Sequence, residues 1–124
     1  MPRPEFTCKV RVQYLPEQSQ APDGPYAFAY TVSIRNTGDI TAQLVARHWV
    51  VIDANGRTED VRGLAVVGHQ PLLKPGEEFE YTSGTRIETP HGRMRGTFMC
   101  MTEEARPFDA DVPEFALAYP SALH

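Results

Sequence analysis

Eleven prolines and nine glycines are strewn along 124 residues, leaving no stretch in which an amphipathic helix of ordinary length could run. Between them recurs an alternation of period two bounded by turn chemistry, the pattern of an all-β sandwich or barrel. The clearest case is Tyr26, Phe28, Tyr30, Val32 and Ile34, which alternate with Ala27, Ala29, Thr31, Ser33 and Arg35. Large side chains on one face and small or polar ones on the other describe a strand that buries a single side.

The same reasoning predicts strands over Thr7 to Leu15, Ala42 to Ile52 and Thr58 to Arg62, the last after an Asp53-Ala54-Asn55-Gly56 turn whose Asn-Gly is a strong hairpin signal. Pro16 to Pro25 is a loop, and Asn36-Thr37-Gly38-Asp39 is a turn. A further turn at Lys74-Pro75-Gly76-Glu77 precedes a strand carrying Phe79 and Tyr81. Thr89-Pro90-His91-Gly92 turns the chain into Arg93 to Met101, with Met94, Phe98 and Cys100 inward and Arg93, Arg95 and Thr97 outward. A last strand is expected at Phe115 to Ala118, after an acidic stretch (Glu103, Glu104, Asp109, Asp111, Glu114) that reads as a solvated loop. The expected fold is thus all-β, a sandwich of seven to eight mostly antiparallel strands in one domain over residues 1–124, with its core from about 7 to 118.

One strand is ambiguous. Ala42 to Ile52 is apolar on both faces, so Leu44, Ala46, His48, Val50 and Ile52 compete with Val45, Arg47, Trp49 and Val51 for the core side. A neutral histidine costs less to bury than an arginine, which favours the first set.

The net charge of −4 argues against general nucleic-acid binding, which shows a basic footprint. Cys8 and Cys100 lie far apart with no CxxC spacing, and read as reduced, core-facing residues. No apolar run approaches the roughly 20 residues that span a bilayer, and the Met-Pro-Arg-Pro-Glu-Phe start lacks the apolar stretch of a secretory signal. A cytoplasmic protein is expected.

Candidate chemistry is sparse. Gly63, Ala65 and Gly68 stand where a Gly-x-Gly-x-x-Gly phosphate cradle would need three glycines, and no helix follows to supply free N–H groups. His48, His69, His91 and His124 show no ligand spacing, and Ser83-Gly84 lacks a nucleophile elbow. No catalytic residue, metal ligand or cofactor is assigned. The loop from Gly63 to Leu73 is the better candidate. Val66, Val67, Leu72 and Leu73 either tuck beneath it or present an apolar docking surface, flanked by Gly68, His69 and Gln70. Arg62, and Arg93 with Arg95 on one outward strand face, are the candidate anion donors.

A set of short motifs adds a family resemblance over roughly residues 7 to 118. Its carriers are Arg47-His48-Trp49, Asp53-Ala54-Asn55-Gly56, Val66-Val67-Gly68 with Gln70-Pro71, and Lys74-Pro75-Gly76-Glu77. Tyr81-Thr82-Ser83-Gly84, and Thr89-Pro90 with Gly92, Met94 and Gly96, complete them. Together they resemble the bacterial ApaG family, also called CorD, with Ala65 departing from that family's usual middle glycine. The resemblance implies a fibronectin type III-like sandwich. Similar domains in a eukaryotic F-box protein and in a protein associated with DNA polymerase delta imply a non-enzymatic module for protein interaction. The alternative it implies is a nucleotide- or divalent-cation-linked role, in diadenosine tetraphosphate turnover or cobalt and magnesium homeostasis. A protein partner is therefore expected, with no membrane, and exposed sheet edges offer a second option, a homodimer.

Overall fold

The computed structural model describes residues 2–20 and 24–120. Eight strands run in order β1 (Phe6–Tyr14), β2 (Tyr26–Asn36), β3 (Ala42–Asp53), β4 (Thr58–Leu64), β5 (Leu72–Leu73), β6 (Glu78–Ile87), β7 (His91–Thr102) and β8 (Pro107–Ala118), with one 3-10 turn at Pro16–Gln18. They form two antiparallel sheets: β1-β2-β6, and β4-β3-β7-β8 with β5 hydrogen-bonded to β3 beyond the end of β4. Three strands facing four, with a short fifth, is the arrangement of a fibronectin type III-like sandwich.

The predicted inward set on β2 forms the centre of the core: Phe28, Val32 and Ile34 are fully buried, and Tyr26 and Tyr30 nearly so. Facing them from the larger sheet are Leu44, Trp49, Met94, Phe98 and Leu117. Trp49 is locked by aromatic neighbours, with ring centroids 5.3 Å from Tyr30, 5.8 Å from Phe98 and 6.2 Å from Phe115.

Four expectations need correction. On β3, Trp49 and Val51 face the core while His48 and Val50 face outward, because the pairing with β7 shifts between Leu44 and Ala46. Val45 is an extra residue there, and a bulge reverses the alternation, so Leu44 and Trp49 point the same way. The acidic stretch is mostly strand. Ala110 and Val112 are buried while Asp109 and Asp111 face water, so charges on the outer face had masked a period-two pattern. Finally, Leu72–Leu73 pairs with β3, and β7 begins at His91, inside the expected turn. His124 lies outside the described residues.

Both cysteines are free, Cys100 buried and Cys8 partly so. Burial pushes both thiols up to about 12, which leaves them protonated and unreactive near neutrality.

Candidate functional site

The loop that follows β4 is tied down at several points. Val66 is fully buried and acts as its anchor in the core. Val66 N–H donates to the His69 carbonyl (2.8 Å) and His69 N–H returns to the Val66 carbonyl (2.9 Å), closing a two-residue turn. Its central residues, Val67 (φ 48°) and Gly68 (φ 81°), both sit at positive φ, as a type I′ turn requires. Glycine tolerates this conformation; a β-branched valine does not do so readily. Val67 is nevertheless more than half exposed at the tip.

Gly63 has a different role from the phosphate cradle considered above. It lies within β4 opposite Arg47, and an added Cβ would meet the Arg47 guanidinium at 3.0–3.2 Å. The missing side chain lets Arg47 cross the strand and donate from Nη1 to the carbonyls of Leu64 (2.9 Å) and Ala65 (2.8 Å). Gln70 donates from its amide to the carbonyl of the bulge residue Val45 (3.0 Å), while Gln43 donates to the Gln70 carbonyl (2.9 Å). At the far end the buried Asn36 donates to the carbonyls of Ile40 (3.0 Å) and Leu73 (2.9 Å). Such ties leave little ordering entropy to be lost on binding. His69 is exposed, its ring 5.6 Å from that of Phe79.

The outer face of the larger sheet changes character along its length, and the strand register fixes how. At one end Leu72, Gln43, Met101 and Pro107 form one row, and Leu64, Ala46, Met99 and Asp109 the next. Leu64 is 71% exposed, Leu72 62% and Val67 58%, with Met99 and Met101 also open to solvent. Single exposed apolar residues are ordinary, whereas Leu64, Met99, Leu72 and Met101 share two neighbouring rows of one sheet face. In the middle come Arg62, His48, Thr97 and Asp111, then Asp60, Val50 and Arg95. His48 Nε2 lies 3.5 Å from the Asp60 carboxylate, and Arg93 Nε lies 3.3 Å from the Glu114 carboxylate.

Of the sequence candidates, the structure gathers Val66, Val67, Gly68, His69 and Gln70 into one loop and leaves Gly63 within β4, with Val66 and Leu73 inside and Val67 and Leu72 outside. Arg93 and Arg95 are not part of it. They lie on β7 four or more residues beyond Met99, roughly 13 Å or more at strand rise. Met99 and Met101 carry no local signal, because cross-strand register alone brings them beside Leu64 and beside Ala46, a residue the alternation had favoured for the core side. Arg47 escaped because its contacts need both the bulge and a glycine on the neighbouring strand. Among the described residues, no group of three or more His, Cys, Asp or Glu is placed to hold a metal ion. No helix there is long and apolar enough to cross a membrane.

Comparison with known proteins finds relatives in both sequence and structure. The family model described as ApaG domain matches residues 16–102. The chain is 57% identical over 124 residues to Protein ApaG of Ralstonia nicotianae, covering all of both chains. It is 53% identical to Protein ApaG of Nitrosospira multiformis, over 97% of this chain and 94% of that one. A crystal structure from Bordetella pertussis, assigned as ApaA, superposes with a TM-score of 0.92 at 50% identity, over 96% of this chain and 97% of the other.

Proposed function

This chain belongs to the ApaG domain family, and on that premise we propose that it is a non-enzymatic docking module. Its binding face is the apolar end of the larger sheet together with the tip of the Val66–His69 turn. The partner is a protein segment that lays apolar side chains against Leu64, Met99, Leu72 and Met101 and contacts Val67 at the rim. One observation carries this reading. A valine is held at positive φ on an exposed tip, at a conformational cost of about 1–2 kcal/mol, where asparagine or glycine would serve the turn better. A strained, solvent-facing apolar residue on an otherwise rigid loop is accounted for if its side chain is used.

A nucleotide role draws less support, because the space above Gly63 is taken by Arg47 and Arg93 is already paired with Glu114. The test is a photo-crosslinking residue at Met99 in cells, in wild type and in a Leu64→Asp/Leu72→Asp background. Both leucines are exposed, so the double variant should melt within a few degrees of wild type. A discrete crosslinked protein that disappears in the variant supports the docking face. The same crosslinked protein in both backgrounds removes it.

A further inference from the structure

Edge strand β4 is self-complementary, and we infer that it pairs antiparallel with β4 of a second copy of this chain. Among the described residues no strand covers its outer edge. The parity of its hydrogen bonds limits how anything can pair there. Asp53 N–H donates to the Arg57 carbonyl at one end of the β3–β4 ladder, and Ala65 N–H to the Val45 carbonyl at the other. Since antiparallel ladders alternate, the odd-numbered residues between them bond to β3, and Thr58, Asp60, Arg62 and Leu64 turn their N–H and C=O groups outward.

A second β4 can therefore pair only even residues with even residues. Centring on Asp60 sets that carboxylate against its own copy, and centring on Arg62 sets two guanidiniums together. Centring on Val61 is the register that pairs opposite charges. It places Asp60 opposite Arg62 of the copy, and the reverse, on the outer face where both side chains already lie. On the inner face it places Glu59 opposite Gly63 of the copy. That is the position over which the Arg47 guanidinium lies, so each Glu59 meets an arginine in a space that has no side chain of its own. Val61 meets Val61 at the two-fold axis, covering a residue that is 36% exposed.

Charges on an edge strand ordinarily guard against such pairing. Here their order makes the strand complementary to itself and to little else, an isologous contact of the kind that closes a two-fold dimer. Leu64 marks the end of the ladder, because its carbonyl already accepts from Arg47. Seven residues of strand make a small interface, below the size of stable complexes, so the dimer forms in the micromolar range or weaker. The product is one continuous sheet across both copies, with the two apolar docking ends on the same side and facing away from the axis.

Sedimentation of the full chain at low salt, from about 10 μM to about 1 mM, tests this. The wild type should shift from monomer to dimer across that range. Asp60→Arg and Arg62→Asp should each weaken association at least roughly tenfold, since each sets like charges opposite one another. An equimolar mixture of the two variants should associate again, as should the double swap Asp60→Arg/Arg62→Asp. Under mild oxidation Val61→Cys should form a covalent dimer, because facing residues at a non-hydrogen-bonded position lie within disulfide reach, and Glu59→Cys should not. A wild type that stays monomeric, a dimer indifferent to both reversals, single variants that do not associate when mixed, or crosslinking at residue 59 in place of 61 would each overturn the inference. The substitutions are exposed and leave Leu64, Leu72 and Met99 untouched, so this result is separate from that of the docking face.

Discussion

Gly96→Ala adds one methyl group where the core has no room for it. Gly96 faces inward on β7, opposite Trp49 on β3. A Cβ built there would lie 2.6 Å from Trp49 Cζ3 and 3.0 Å from Cδ2, well inside van der Waals contact. The indole cannot retreat, because Tyr30, Phe98 and Phe115 hold its other sides. Overpacking of this kind costs roughly 1–3 kcal/mol, and alanine recovers about 0.5–1 kcal/mol of the chain entropy that glycine loses in a strand. With the ring locked, the upper half of the cost applies, and a net loss of about 1–2 kcal/mol follows. For a domain of this length that lowers the melting temperature by roughly 3–10 °C. Trp49 is the only tryptophan, so its fluorescence in urea titrations reports on the contact itself. In a Trp49→Leu background, followed by circular dichroism, most of the penalty should vanish, giving a coupling of about 1 kcal/mol. A Gly96→Ala protein as stable as wild type, or more so, would mean the indole can shift, and the reasoning from ring confinement would fail.

Val67→Asn should raise stability by about 1 kcal/mol in denaturant titrations, since asparagine accepts positive φ; no gain would remove the strain on which the docking argument rests. The raised thiols give a pH dependence of known sign. Cys8 and Cys100 titrate near 9 when unfolded and about 12 when folded, so their contribution is complete below pH 9 and is lost as pH rises toward 12. Melting temperatures should fall across that interval, and less steeply in a Cys8→Ala/Cys100→Ala protein; identical slopes would contradict the assignment. Calorimetry with diadenosine tetraphosphate should show nothing tighter than about millimolar, near 4 kcal/mol of association free energy. Micromolar binding abolished by Arg93→Ala/Arg95→Ala would reinstate the nucleotide reading.

The class of fold and most of its elements are legible in the order of the residues alone. Proline and glycine excluded helices, and the alternation on β2 reads directly because that strand has one wet face and one dry. Local chemistry also sufficed for the turns, since Asn55-Gly56 and Pro75-Gly76 carry their own conformational preference, each glycine sitting at positive φ. The inward side of β3 is not legible that way, because a bulge at Val45 reverses the alternation and the pairing with β7 is what shows which residue is extra. The first half of the eighth strand was hidden for a related reason: Asp109 and Asp111 suit an outer face as well as a loop, and Ala110 and Val112 are too few to settle the matter until β7 pairs with them. The same holds for the candidate site. Val66, Val67 and Gly68 are legible as a loop, but Leu64, Ala46 and Met99 are far apart in the chain and become one surface through register. Arg47 is one residue from His48 in sequence, yet its role comes from Gly63 across the ladder. Local preferences are written in neighbouring residues, whereas a face, a cradle and a self-complementary edge arise from which strand lies beside which.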